Sequence, residues 1–405
     1  MVDKLRAPIS KKSNKNKTGR MVVRYRAGVD YIFFILVIAL LCFGTVMVFS
    51  ASYVNALEYR GDSFYFSGRQ LLWAALGIVV MLIMAYVPFL DYLTIEKFTI
   101  AFFVLALGLN FVTPIIGIIS HGAPRWLIIG PIQFQPSEIL KIAAIMFFAF
   151  YASKADKKMK KWWWGVWLPL LAMLLCVIPM AMQQHLSGAV IMSLLCVAML
   201  YISEFDYKVF VVLGILAVIL VLFAILFPGL MMKLLEIIGL GHSGGRLEIW
   251  RDPYTDPLNR GLQIIQSLYA IGSGGWTGLG LGQSKQKFLY LPEPHNDYIF
   301  AILCEELGYI GAVSVILIFC LFIWRGFVIA RKAPNKFSSL VVAGITIKVA
   351  VQFLLNIAVV TNLLPATGIS LPFFSYGGTA LVILMAEMGI ILSISRYSYK
   401  EDLKS

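Results

Sequence analysis

The sequence predicts an all-α, polytopic membrane protein with about ten transmembrane helices and both termini cytoplasmic. Three observations predict it. Hydrophobic residues make up 60% of the chain and charged residues 14%, against about 25% charged in an ordinary soluble domain. Apolar stretches of the length needed to cross the hydrocarbon, about 20 residues, recur throughout the chain. The basic residues gather in the tails and in those loops that an alternating topology places on one side.

The stretches run at about 31–52, 71–90, 96–116, 136–153, 162–182, 188–203, 209–228, 298–325, 338–360 and 377–395, the sixth being short. Nine basic residues precede the first, among them Lys11, Lys12, Lys15, Lys17, Arg20, Arg24 and Arg26. With that end inside, Lys154, Lys157, Lys158, Lys160 and Lys161 after the fourth stretch fall on the same side. So do Arg325, Arg331, Lys332 and Lys336 after the eighth, and Arg396, Lys400 and Lys404 in the tail. The chain divides into a basic tail at 1–29, a membrane domain at 30–396 and a short tail at 397–405.

The net charge of +13 is therefore a topology signal, and a nucleic-acid partner is disfavoured. The N-terminal tail reads as disordered and drawn to anionic lipid. The first apolar run is too long for a cleavable signal peptide and lacks a small-residue cleavage site. All five cysteines fall inside apolar spans and read as small hydrophobes, without disulfide or metal spacing.

The longest water-facing segment, about 229–296, falls on the extracytoplasmic side. Leu230–Leu240 has the pattern of an interfacial amphipathic helix, and Gln263–Ala270 that of a second short helix. Gly272–Gly282 holds six glycines in eleven residues. It matches neither the Walker nor the dinucleotide pattern. Two readings stand: a compact, turn-rich cap, or backbone N–H groups brought near a phosphate.

Asp297 closes Pro292-Glu-Pro-His-Asn-Asp and opens the eighth stretch. It either caps the first helical turn or serves as a general base at the water–lipid boundary, with Glu293 and His295 nearby. Lys141, Glu305, Glu306, Lys348 and Glu387 lie inside spans, where charge is costly, and Glu138 lies at the edge. Lys348, Gln352 and Asn356 recur every four residues and form one polar stripe. It is either paired structurally, for instance Lys348 with Glu306, or lines a substrate cavity. Arg125, Arg246, Arg251, Lys285 and Lys287 place positive charge on the outer side against the topological trend. Each is either solvated surface or a contact to an anionic ligand, which suits Arg through its planar fork.

Four motifs in order are Gln135-Pro-Ser-Glu138, Tyr290-Leu-Pro-Glu-Pro-His-Asn-Asp-Tyr-Ile-Phe-Ala301, Glu305-Glu-Leu-Gly308 and Leu364-Pro-Ala-Thr-Gly-Ile-Ser-Leu-Pro-Phe-Phe-Ser-Tyr-Gly-Gly-Thr379. Together they resemble the SEDS family (shape, elongation, division and sporulation) of bacterial cell-wall polymerases, over nearly the whole chain. Lys287-Phe-Leu-Tyr-Leu-Pro-Glu-Pro-His295 looks more like the FtsW division and sporulation branch than the RodA branch.

The resemblance implies a peptidoglycan glycosyltransferase in the bacterial cell membrane, acting on lipid II and a growing glycan strand at the extracytoplasmic face. It maps the family's essential Asp onto Asp297, as general base or orienter of the nucleophile, with undecaprenyl pyrophosphate leaving. It places Arg125, Lys141, Arg246, Glu293, His295 and Lys348 as substrate-binding candidates. It implies a class B penicillin-binding protein as partner, contacting spans eight and nine, with other division proteins and membrane lipid. No cofactor is certain, and a divalent cation (Mg or Mn) is the one left open. Where many relatives have Pro-Asp after span five, this chain has Gln184-His-Leu-Ser-Gly188, so no role of that Asp carries over. A lipid II flippase and a non-catalytic division scaffold are the competing functions. Against transport, no pair of interrupted helices in matching halves is evident.

Overall fold

The computed structural model describes residues 22–26, 28–86, 96–120, 123–130, 132–154, 163–205, 207–227, 230, 249–259, 261–397 and 399–403. All ten expected spans are helical: α1 Tyr31–Arg60, α2 Tyr65–Tyr86, α3 Glu96–Ile116, α4 Pro136–Lys154, α5 Leu168–Met182, α6 Leu186–Ile202 and α7 Lys208–Leu226. A short α8 (Leu262–Ser273) precedes α9 Ile299–Arg331, α10 Lys336–Val360 and α11 Gly378–Arg396. Among the described residues, eight helices are long and apolar enough to cross a membrane, counting α5 with the π-helical turn Trp163–Trp167 that leads into it. The 17-residue α6 and the 19-residue, almost wholly apolar α7 complete the set. The chain is a multi-pass membrane protein.

Local chemistry sets several ends. Asp30 caps α1 by accepting from the Phe33 N–H at 3.0 Å, and Gly61 in the left-handed region closes its far end. Asn335 caps α10 through the Ser338 N–H. Boundaries differ from expectation in α2, which begins at Tyr65, six residues before the apolar run at 71. Strand β1 (Val22–Arg26) pairs antiparallel with β5 (Tyr399–Leu403). That joins the two tails on one face, as an even number of crossings requires, and part of the tail expected to be disordered is a strand. Near the same face, Arg325 holds Asp30 through two nitrogens, the shorter contact being 2.7 Å. Leu230–Leu240 falls almost entirely outside the described residues.

The outward faces are apolar. Leu71, Val79 and Ile83 of α2 and Val211, Ile215 and Ile219 of α7 are exposed, a surface suited to hydrocarbon rather than water. The interior is a continuous apolar core drawn from most of the spans, with Phe319, Phe353 and Phe373 among its larger side chains.

One helix is broken, and the break organises the face opposite the termini. Gly308 (φ 64°, ψ −166°) interrupts α9. In an unbroken helix the Tyr309 and Ile310 N–H groups would donate to the Glu305 and Glu306 carbonyls. Here the glycine-rich segment takes both sets of partners. Leu279 and Gly280 donate to the Glu305 and Glu306 carbonyls (3.0 and 2.9 Å), while Tyr309 and Ile310 donate to the Gly275 and Trp276 carbonyls (2.9 and 3.1 Å). A β-carbon at Gly308 would collide with the Gly278 amide nitrogen. The glycines thus form a compact cap on α9, in which the Leu279 and Gly280 N–H groups are taken up by the Glu305 and Glu306 carbonyls. Tyr309–Arg331, roughly 34 Å at about 1.5 Å per residue, is long enough to span alone.

Gly308→Ala should lower the melting temperature, since a non-glycine residue in such backbone costs about 1–3 kcal/mol before the clash is counted. Gly214→Ala, in α7 with open space around it, should be neutral or stabilising, as about 1 kcal/mol of helix propensity favours Ala. Equal melting of the two variants would contradict the account of the break.

Candidate active site

The same break carries a buried polar network. The Glu306 carboxylate accepts from the Ser50 hydroxyl of α1 (2.6 Å) and pairs with Lys287 Nζ at 2.7 Å, both charged groups being fully buried. Glu305 accepts from the Ser284 hydroxyl and from the Lys285 and Gln286 N–H groups. Lys287 was expected at the outer surface and Glu306 as a partner of Lys348. Instead they bind each other, which anchors the stretch leading to Asp297.

Above the bundle, β2 (Ile118–Ser120), β3 (Ala123–Ile129) and β4 (Ile132–Phe134) form a small antiparallel sheet between α3 and α4. β3 carries Arg125 and Trp126. The Arg125 guanidinium donates to the Gln184 carbonyl at 2.7 Å. Gln184 belongs to the turn between α5 and α6 and has positive φ (50°). The variant Gln184–Gly188 turn therefore places Arg125.

These elements surround a cavity of about 1470 Å³. Arg69 and Trp73 of α2, Arg125, Glu138, His185, Glu293, Asp297, Lys348 and Gln352 line it, with Thr367, Gly368 and Ser370 from the loop after α10. Leu72 and Leu76 also line it while being exposed, Leu72 to 72%. The polar cavity thus meets the lipid-facing side of α2. Lys348, at the middle of α10, marks its depth.

Asp297 lies on the wall and is half-buried. The assigned cap position of α9 is Tyr298, one residue after Asp297. Lys348 pairs with Glu387 of α11 at 2.6 Å, and Lys141 with Glu138 at 2.6 Å. Structural pairing and cavity lining therefore both hold for Lys348. Lys141 is buried (3% exposed) behind Glu138, which itself faces the cavity. Arg246 lies outside the described residues. His295, expected as a substrate contact, is absent from the cavity wall and packs between Phe66 and Tyr376, ring centroids 4.4 and 5.9 Å away. Its ring fills a hole between aromatic neighbours, which is why it is withdrawn.

Two lining residues escaped the sequence reading. Arg69 precedes the apolar run at 71 and belongs to α2 only because that helix begins at Tyr65; its guanidinium stacks over the Tyr65 ring at 4.2 Å. His185 was noted only as a departure from the family pattern, yet it faces the cavity beside Gln135, whose amide lies 3.5 Å from its Nδ1. Among the described residues no group of three or more His, Cys, Asp or Glu side chains is placed to hold a metal.

The fold and cavity define a multi-pass membrane protein with a carboxylate-bearing polar chamber that meets lipid. A family model described as a cell cycle protein, covering FtsW, RodA and SpoVE, matches residues 30–400. The chain belongs to that family. It is 39% identical over 372 residues to stage V sporulation protein E of Bacillus subtilis, covering 91% of this chain and 97% of that one. It is 38% identical over 375 residues to the probable peptidoglycan glycosyltransferase FtsW of the same organism, covering 91% and 92%. A solved chain from a study of "structural coordination of polymerization and crosslinking by a peptidoglycan synthase complex" superposes with a TM-score of 0.74 at 24% identity, covering 91% and 98%. The rod shape determining protein RodA of Thermus thermophilus gives 0.66 at 22% identity, covering 92% and 99%.

Lys348→Met should destabilise the protein by about 3–5 kcal/mol in thermal melting, because Glu387 is left buried without its counter-charge. Adding Glu387→Leu should recover most of that loss; no recovery would show that the pair is incidental.

Burial pushes His295 down to about 4 from 6.5, against the smaller opposing effect of Glu293. The unfolded chain therefore takes up its proton first. Stability from this group is complete above about pH 6.5 and is lost as pH falls towards 4. His295→Phe should flatten the fall of melting temperature over that window. His185, pushed down to about 3 by burial and by Arg125, leaves a residual slope.

Proposed function

We propose that the chain is a peptidoglycan glycosyltransferase of the FtsW branch, polymerising lipid II at the extracytoplasmic face of the bacterial cell membrane during division. The observation that carries this is Asp297 on the wall of a cavity bordered by cationic side chains and by the lipid-exposed leucines of α2. A polyprenyl chain stays in the bilayer beside Leu72 and Leu76 while its pyrophosphate and sugars enter. Arg125 and Arg69 offer guanidinium groups to the pyrophosphate, a geometry that suits its oxygens.

The sugar hydroxyl of the acceptor lipid II attacks the anomeric carbon at the end of the growing strand. The new C–O bond forms as the bond to undecaprenyl pyrophosphate breaks, and the leaving group departs with the electron pair. Asp297 takes the hydroxyl proton. General-base assistance of this kind contributes about 10²–10⁴-fold. A Mg²⁺ or Mn²⁺ entering with the pyrophosphate would be offered the Glu293 carboxylate on the cavity wall and would offset phosphate charge there. A class B penicillin-binding protein docks on the exposed apolar faces of α9 and α10, where Leu317, Leu321, Trp324 and Leu354 stand out.

Asp297→Asn keeps size and removes basicity. In a lipid II polymerisation assay matched for folded protein, it should lose about 10²–10⁴-fold in rate with melting unchanged. Near-parental polymerisation by the variant would falsify the catalytic assignment. No polymerisation by the parent, even with its partner, would favour transport of lipid II.

A further inference from the structure

The polar stripe of α10 is not uniform. Lys348 pairs with Glu387, whereas Gln352 and Asn356 hold the loop between α10 and α11. Gln352 Nε2 donates to the Ser370 carbonyl at 3.2 Å. Asn356 Nδ2 donates to the Ile369 carbonyl at 2.6 Å and also to the backbone carbonyl of Asp297 at 2.8 Å. One buried amide thus ties the loop to the residue that bears the carboxylate.

The two preceding carbonyls are held from the same side. The Ser375 hydroxyl donates to the Asn296 carbonyl at 2.7 Å, and the Tyr376 N–H to the His295 carbonyl at 2.9 Å. The Leu371 N–H donates back to Ser375 Oγ at 2.6 Å. Three consecutive carbonyls at 295–297 are therefore fixed by α10 and the segment entering α11. The same loop sets Gly368 against the carboxylate. Its φ is +71°, and a β-carbon there would stand 3.1 Å from Asp297 Oδ2.

Asn356 is fully buried and is not among the cavity-lining residues. Its Oδ1 has no hydrogen-bond partner. A Leu of similar size would spare that acceptor but would take the donor away from the Asp297 and Ile369 carbonyls. An Asn at this position is explained by the two carbonyls its Nδ2 holds, one of them that of Asp297.

We infer that Asn356 is a positioning residue for Asp297, assisted by Ser375, and that together they fix the depth and direction of the carboxylate in the cavity. This rests on the proposed role of Asp297. Misplacement of a reacting group by about 1 Å costs on the order of 10²-fold, so the effect belongs in kcat rather than in binding.

The test is lipid II polymerisation by the full chain with its partner, at matched folded amount. Asn356→Leu should lower kcat by about 10–10²-fold and leave the KM for lipid II within about twofold of the parent. Ser375→Ala should lower kcat less, and Ser375→Thr, which keeps the hydroxyl, should recover most of it. In the Asp297→Asn background, Asn356→Leu should add no further loss, because the group it positions is gone. Parental kcat in Asn356→Leu, or a raised KM with kcat intact, overturns the positioning role. Where Asn356→Leu does not fold, equal kcat for Ser375→Ala and Ser375→Thr overturns it. Loss in Asp297→Asn with parental kcat in Asn356→Leu overturns this inference alone, whereas parental rates in Asp297→Asn overturn the reading of Asp297 itself.

Discussion

The exchange of backbone hydrogen bonds at Gly308 is the constraint on which the functional face depends. A helix cannot be interrupted inside a bundle unless the freed carbonyls and N–H groups find other partners. The glycine-rich segment supplies them two for two, with Leu279, Gly280, Gly275 and Trp276 taking the places of Tyr309, Ile310, Glu305 and Glu306. Only a chain without side chains at Gly278 and Gly308 approaches closely enough. Docked there, it brings Ser284–Lys287 onto the Glu305 and Glu306 carboxylates, and the chain then leads directly to Asp297.

Among the described residues, three pairs carry charge inside the bundle, while Glu305 is held by the Ser284 hydroxyl and two N–H groups. Lys287–Glu306, Lys348–Glu387 and Lys141–Glu138 each bring opposite charges within 2.7 Å. Such pairs do not stabilise a membrane protein merely by existing, since desolvation offsets much of their attraction. Their value here is positional. Lys348 and Glu138 face the cavity while their partners lie behind them, so polar groups are presented without an uncompensated charge in the low-dielectric interior. The chamber is lined by polar side chains beside helices whose outer faces are aliphatic.

That juxtaposition is what the proposed lipid-linked donor would require. The polyprenyl tail gains nothing by leaving the bilayer, whereas pyrophosphate and sugar need polar partners. A cavity walled on one side by α2, with Leu72 and Leu76 towards lipid and Arg69 towards the chamber, satisfies both on one helix. Arg125, carried by the small sheet and held by the Gln184 carbonyl, lines the same cavity.

Composition, apolar length and the side bias of Lys and Arg by themselves determined the ten crossings and the shared side of the termini. These properties are set by the solvent, water or hydrocarbon, that each segment meets, and they need no knowledge of neighbours. The motifs likewise singled out Asp297. Other features depended on contacts between segments far apart in the chain, which only the tertiary structure decided. Lys348 met an acidic group as its depth demanded, but packing chose Glu387 for it and gave Glu306 to Lys287. His295 turned into an aromatic pocket while Glu293, two residues away, faced the cavity. Arg69 lay hidden by a helix boundary, and the glycines served to cap a broken helix. A period or a composition fixes which face of a segment is polar, but the partner that face meets is chosen by packing.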